Sequence, residues 1–246
     1  MRGLRAAVTG GGSGIGAAVA EALAREGVSV VLMGRNASRL RDQAVRIGGE
    51  VQRLDVSDEA SVQAAFEAIG PLDILVNNAG QVETSPLKAT TLDTWNRMLQ
   101  VNLTGTFLCS RAVLGGMSER GFGRIINVAS TAGLKGYAYV AAYCAAKHGV
   151  LGLTRALALE LANKGVTVNA VCPGYTETDI VEQAVANIVI KTGRTPDEAR
   201  ALLAASNPQR RLIQPKEIAT TVMWLARRES NSITGQSISI SGGEVM

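Results

Sequence analysis

Strands alternating with helices along the whole chain predict an α/β fold, a doubly wound parallel sheet of seven strands with right-handed crossovers. Three observations carry this. Short, nearly continuous apolar runs such as Val28–Met33 suit strands buried on both faces. Stretches of helical period separate those runs. The first run leads into Gly10-Gly11-Gly12-Ser13-Gly14-Ile15-Gly16 and then a helix, the order a Rossmann-like dinucleotide loop requires.

Taken in order, the strands are Arg5–Thr9, Val28–Met33, Glu50–Leu54, Ile74–Val76, Arg124–Val128, Val166–Val171 and Ser237–Ile240. The helices between them are Ala17–Arg25, Ser38–Ile47, Glu59–Ile69, Thr91–Glu119, Val140–Asn163 and Pro215–Arg228. The glycines of the first turn let backbone approach a pyrophosphate, and the following helix supplies N–H groups and a positive dipole end. The second strand ends at Gly34-Arg35, the third at Asp55-Val56, the fourth at Asn77-Asn78-Ala79-Gly80, the fifth just before Ser130 and the sixth at Pro173-Gly174. Ligands of such sheets bind beyond the carboxyl ends of the strands, where all these residues fall. The insert 175–212, with helical pieces Ile180–Ile190 and Pro196–Ala205, breaks the rhythm and reads as a substrate lid within a single domain, 1–246.

With 246 residues, 46% of them apolar and 19% charged, the chain supports one large core. A net charge of +4, without basic tracts interleaved with aromatics, gives no footprint for nucleic acid. No run reaches membrane-spanning length, and the first ten residues lack a signal-peptide core. Cys109, Cys144 and Cys172 are widely spaced in apolar settings, as reduced core thiols of a cytoplasmic protein are. His148 is the sole histidine and no carboxylates cluster near it, so neither a metal site nor a His-dependent triad is expected.

The chemistry centres on 130–147. Tyr143 and Lys147 stand at i and i+4 on one helix face. A phenol has a pKa of about 10, and an ammonium about 4 Å away stabilises the phenolate by at most ~4 kcal/mol, roughly three pKa units. That brings Tyr143 into working range for proton transfer. Ser130 can hold the same substrate oxygen from the other side. The set suits a carbonyl that becomes an alkoxide.

These pieces together resemble the classical short-chain dehydrogenase/reductase family over essentially the whole length: Thr9-Gly10 with Gly14 and Gly16, Asp55-Val56, Asn77-Asn78-Ala79-Gly80, Asn102, Ser130, Tyr143-x-x-x-Lys147, and Pro173-Gly174 with Thr178. The resemblance implies Tyr143 as general acid in reduction or base in oxidation. Lys147 lowers the Tyr143 pKa and bonds the nicotinamide ribose, Ser130 polarises the carbonyl, and Asn102 holds a water of a proton relay. It implies cofactor contacts from Gly10, Gly12, Ser13, Gly14, Ile15 and Gly16, and from Asp55 and Val56 at the adenine. Asn77, with Ala79 and Gly80, meets the adenosine ribose, and Pro173, Gly174, Thr176 and Thr178 the carboxamide. Residues 123–174 are most similar to ketoreductases of 3-oxoacyl thioesters.

Cofactor choice is read from the end of the second strand. An NAD site needs a carboxylate there for the adenosine 2′-hydroxyl. This chain has Gly34, which offers no acceptor, and Arg35, whose planar fork of donors suits phosphate. The expectation is NADP(H), with NAD(H) as the alternative. The expected activity is reduction of a 3-oxoacyl thioester. The alternatives are a dehydrogenase of small cyclic or secondary alcohols and a non-catalytic nucleotide-binding scaffold. Expected partners are an acyl-thioester or other small-molecule substrate and an acidic acyl carrier protein meeting Arg120 and Lys164 beside the cleft. A homotetramer is expected, joined through small residues such as Ala141, Ala145, Gly149 and Gly152.

Overall fold

The computed structural model describes residues 1–246. The strands are β1 (Arg5–Thr9), β2 (Ser29–Gly34), β3 (Glu50–Arg53), β4 (Ile74–Asn77), β5 (Gly123–Val128), β6 (Val166–Pro173) and β7 (Ser237–Ile240). The helices are α1 (Gly14–Arg25), α2 (Ala37–Ile47), α3 (Glu59–Ile69), α4 (Leu92–Leu99), α5 (Gly105–Glu119), α6 (Ala141–Glu160), α7 (Asp179–Thr192), α8 (Pro196–Ala204) and α9 (Pro215–Ala226). All strand pairs are parallel, in the order β3-β2-β1-β4-β5-β6-β7. The order reverses between β1 and β4, which opens a crevice at their carboxyl ends.

Alternation along each strand sends successive side chains to opposite faces, and both faces are apolar. Ala6, Val8, Val30 and Leu32 pack on α1 and α9, the latter through Ile218 and Val222. Ala7, Val31, Met33 and Leu75 pack on α3 and α5 through Val62, Phe66, Leu108 and Val113. Among the buried polar residues, side chains on β4, β5 and the helices that cover them join in a ladder. Asn77 Nδ2 donates to Ser110 Oγ at 3.0 Å and Asn127 Oδ1 at 2.9 Å, and Asn127 Nδ2 donates to Thr154 Oγ1 at 2.9 Å.

The expected single helix 91–119 is interrupted. Between α4 and α5, Gln100–Thr104 forms a π turn in which the Gly105 N–H reaches Gln100 O, five residues back. Asn102 explains it. Its Nδ2 donates to Met98 O and to Gln81 O, both at 2.9 Å, so a side chain competes with the helix ladder for a carbonyl. The insert forms α7 and α8, with its own small core of Val181, Val185, Ala199, Ala204 and Leu212. Arg200 of α8 clamps it to the β6 end by ion pairs with Glu177 and Glu182. No helix is long and apolar enough to cross a membrane.

Candidate active site

The carboxyl ends of β1 and β4 are laced together first. Thr9 Oγ1 accepts from the N–H of Asn78 at 2.9 Å and of Ala79 at 3.0 Å, and Asn78 Nδ2 donates to Thr9 O at 3.0 Å and Gly10 O at 3.2 Å. Gly10 adopts φ +65°, and a Cβ there would lie 2.9 Å from the Asn78 amide. Gly14 and Gly16 serve packing here. Gly14 lies against Thr178, and Gly16 against the Gly10 carbonyl and Asn78, so α1 starts close under the loop. Ser13 at the α1 N-cap makes no side-chain bond, which leaves first-turn N–H groups available to an anion.

The groove beyond these ends has two halves joined at Gly80 and Gln81. One half is lined by Gly10, Gly12, Ser13, Gly34, Arg35, Asp55, Val56 and Ala79, as the sequence predicts for an adenosine diphosphate. Asp55 is not the helix cap. Asp58 caps α3, while Asp55 Oδ1 accepts from the Ser57 N–H at 3.0 Å and Oγ at 2.6 Å. Those bonds, and Arg35 Nη1 at 3.9 Å, hold its carboxyl below the usual range. Arg39, on α2, also lines this half and forms an ion pair with Asp179 of α7. Sequence reasoning missed it, because a single Arg in the first turn of a helix carries no local signal.

Asn77 corrects an expectation. The residue is only 4% exposed and its amide nitrogen donates within the core ladder, so its side chain cannot reach a ribose; its neighbour Asn78 lines the groove. In a strand the two residues point to opposite faces.

The other half is lined by Ile15, Asn102, Ser130, Tyr143, Lys147, Pro173, Gly174, Thr176 and Thr178, all expected, and by Thr131, Tyr137, Tyr175 and Ile180, the last two from the insert read as a substrate lid. Lys147 is the only charged residue on this wall. A Cβ on Gly80 would sit 2.8 Å from Asn102 Oδ1 and 3.7 Å from Lys147 Nζ, so a glycine is what lets those groups converge. Asn102 Oδ1 also accepts from the Gln81 N–H at 3.2 Å, fixing the loop after β4. The Gln81 side-chain nitrogen is buried with no partner at the seam between the two halves, an unspent donor. Cradle, uncapped helix end and orphan donor fit a dinucleotide.

The electrostatics reverse one expectation. Lys147 does not bring the Tyr143 pKa down. Its Nζ donates to Val128 O at 2.8 Å and stands 5.6 Å from the Tyr143 ring centroid. Burial dominates, pushing Tyr143 up to about 12, with the Ser130 hydroxyl pulling it partly back, and Lys147 down to about 8. Near neutrality Tyr143 therefore holds its proton, as an acid must, while Lys147 keeps most of its charge.

A second correction concerns Arg120 and Lys164. They precede β5 and β6, whose paired first residues are Gly123 and Val166, so they lie at the amino edge of the sheet, opposite the groove of their own subunit. Arg120 is spent on Leu72 O at 2.5 Å.

This groove and fold define a nicotinamide-cofactor oxidoreductase acting on CH–OH and keto groups, and the chain belongs to the short chain dehydrogenase family, whose model matches residues 5–188. It is 40% identical to the 3-oxoacyl-[acyl-carrier-protein] reductase FabG of Vibrio cholerae, over 100% of this chain and 99% of that one. It is 43% identical to the acetoacetyl-CoA reductase of Shinella zoogloeoides, covering 97% of each. Among solved structures, an actinorhodin polyketide ketoreductase crystallised with NADPH superposes with a TM-score of 0.92 at 38% identity, covering 98% of this chain and 97% of that one.

Proposed function

We propose that the chain reduces 3-oxoacyl thioesters to 3-hydroxyacyl thioesters with NADPH. The observation that carries the reaction is the Tyr143 phenol set beside the Ser130 hydroxyl, on a wall whose sole charge is Lys147. The nicotinamide, when bound, supplies the hydride to the carbonyl carbon. Ser130 donates a hydrogen bond to the carbonyl oxygen, and Tyr143 gives that oxygen its phenol proton as charge develops. The Ser130 hydroxyl, which pulls the Tyr143 pKa partly back, bonds the phenolate left behind, Lys147 holds the ribose, and Asn102, fixed by the π turn, serves the relay that returns the proton. Arg35, with Arg39 beside it, receives the 2′-phosphate, and 175–212 covers the substrate.

The substrate class rests on the relatives' chemistry and on the charge of this wall. A free 3-oxo acid would bring a carboxylate into a pocket without a spare cation, at a desolvation cost that a neutral thioester escapes. We therefore expect kcat/KM for acetoacetyl-CoA to exceed that for acetoacetate by at least ~100-fold, the equivalent of ~2.7 kcal/mol. Equal efficiency on the two, measured as NADPH oxidation, refutes the thioester assignment. The aromatic pair Tyr137 and Tyr175 favours a second reading, a cyclic ketone or alcohol as substrate. Arg120 and Lys164 give no support to a carrier protein docking on the same subunit, and such a partner rests on the relatives alone. A homotetramer is kept as a proposal with a narrower basis. Of the small residues on α6, Gly149 packs on Leu103 inside the subunit, whereas Gly152 faces open space.

A further inference from the structure

Glu244 follows β7, yet its side chain is only 2% exposed and ends against Tyr137 of the substrate wall. Two glycines at positive φ, Gly242 (+62°) and Gly243 (+94°), turn the chain back after the strand. Ser241 Oγ then accepts from the Val245 N–H at 3.2 Å, and Gly242 lies against Asn207 so closely that a side chain would collide. The turn is fixed by backbone, and it delivers a carboxylate under Gly174, where a Cβ would be 3.3 Å from Glu244 Oε2.

Glu244 Oε1 meets the Tyr137 hydroxyl at 2.6 Å and Lys135 Nζ at 3.1 Å. The Tyr137 oxygen is also 2.8 Å from Thr131 Oγ1. A carboxylate only accepts, so the Tyr137 proton points to Glu244 and the Thr131 hydroxyl donates to Tyr137. Lys135 closes the cluster, its ammonium 4.9 Å from the Tyr137 ring centroid. The Tyr137 hydroxyl is thus engaged by both Glu244 and Thr131. Tyr137 lines the groove, its ring set edge to face with that of Tyr175 at 6.4 Å and 83°. The loop carrying Tyr137 is under backbone tension: Tyr139, which is not glycine, has φ +67°, and its carbonyl is held by the Ser85 N–H at 2.8 Å. A strained loop needs anchors on both sides, and Glu244 is the one nearest the wall.

We propose that Glu244 is a positioning residue for substrate selectivity: by holding Tyr137 it fixes the Tyr137–Tyr175 corner as an aromatic wall that favours ring-bearing or bulky apolar groups next to the reacting carbonyl. This rests on the groove being the carbonyl site, and not on the thioester assignment. An edge-to-face aromatic corner gains contact with a second ring only while both tyrosines keep their angle.

The test compares reduction of 2-tetralone with that of cyclohexanone by NADPH. Glu244→Ala is expected to lower the 2-tetralone:cyclohexanone ratio of kcat/KM by about tenfold. The change is carried by the KM for 2-tetralone, with its kcat within twofold and NADPH affinity, read by fluorescence titration, unchanged. Glu244→Gln, which keeps an acceptor for Tyr137, is expected to restore most of the ratio. Tyr137→Phe is expected to reproduce the loss, and Glu244→Ala added to it to do nothing more. A fall that is equal for both ketones, that is carried by kcat, or that adds in the double variant would overturn the proposal. Because neither ketone is a thioester, a failure here is separate from a failure of acetoacetyl-CoA as substrate.

Discussion

Tyr143→Phe lowers kcat for carbonyl reduction by on the order of 10²–10⁴. Tyr143 is the phenol on the groove wall that stands beside the Ser130 hydroxyl, and burial, which pushes its pKa up to about 12, keeps its proton in place at neutral pH. Ser130 can share a hydrogen bond with the nascent alkoxide but cannot protonate it. The variant keeps its fold and its cofactor affinity, because the glycine turn, Arg35 and Asp55 lie in the other half of the groove. A Phe variant retaining more than a tenth of the wild-type rate removes Tyr143 from the mechanism. The pH profile carries the same logic. Burial lowers Lys147 to about 8, so its charge is present below that pH and lost above it. Reduction is then level through neutrality and falls as pH rises past about 8.

Cofactor choice is the second large effect. Gly34 closes β2 with no acceptor for a 2′-hydroxyl, and Arg35 and Arg39 both line the adenosine half of the groove. A charge-assisted contact with phosphate contributes ~1.5–3 kcal/mol, or roughly ten- to a hundred-fold in kcat/KM for NADPH over NADH. Gly34→Asp with Arg35→Ala supplies the missing acceptor, removes one cation and reverses the preference. Arg39 is held in an exposed ion pair with Asp179, which contributes little by itself and leaves the guanidinium free to turn to a phosphate. Arg39→Ala alone is expected to narrow the preference severalfold. A wild-type enzyme that uses NADH as well as NADPH contradicts this assignment.

The parts legible in the sequence are those set by local backbone rules. Continuous apolar strands, the glycine turn, the Tyr143–Lys147 spacing and the strand-end positions of Ser130 and Pro173 all follow from a few consecutive residues, and the parallel, doubly wound sheet follows from their alternation with helices. What escaped depends on distant partners. The π turn arises because Asn102 bonds Gln81, 21 residues away, and no local pattern announces it. Asn77 and Asn78 are adjacent and chemically identical, and only the pleat decides which one reaches the groove. The rise of the Tyr143 pKa reflects how far helices and loops close over the site, which spacing along one helix does not encode. Arg120 and Lys164 looked suitable by sequence proximity to catalytic strands, yet each precedes its strand and so falls at the wrong end of it. Glu244 reaches Tyr137 across 107 residues.

The central claim is hydride delivery to the ketone of a 3-oxoacyl thioester, and isotope transfer tests it most directly. NADPH carrying deuterium at the transferable C4 position is incubated with acetoacetyl-CoA and enzyme, and the product is analysed by mass spectrometry. The predicted result is 3-hydroxybutyryl-CoA with a single deuterium on C3, formed in step with NADPH loss and absent with Tyr143→Phe. Unlabelled product, or acetoacetyl-CoA left intact while simple cyclic ketones are reduced, would contradict it.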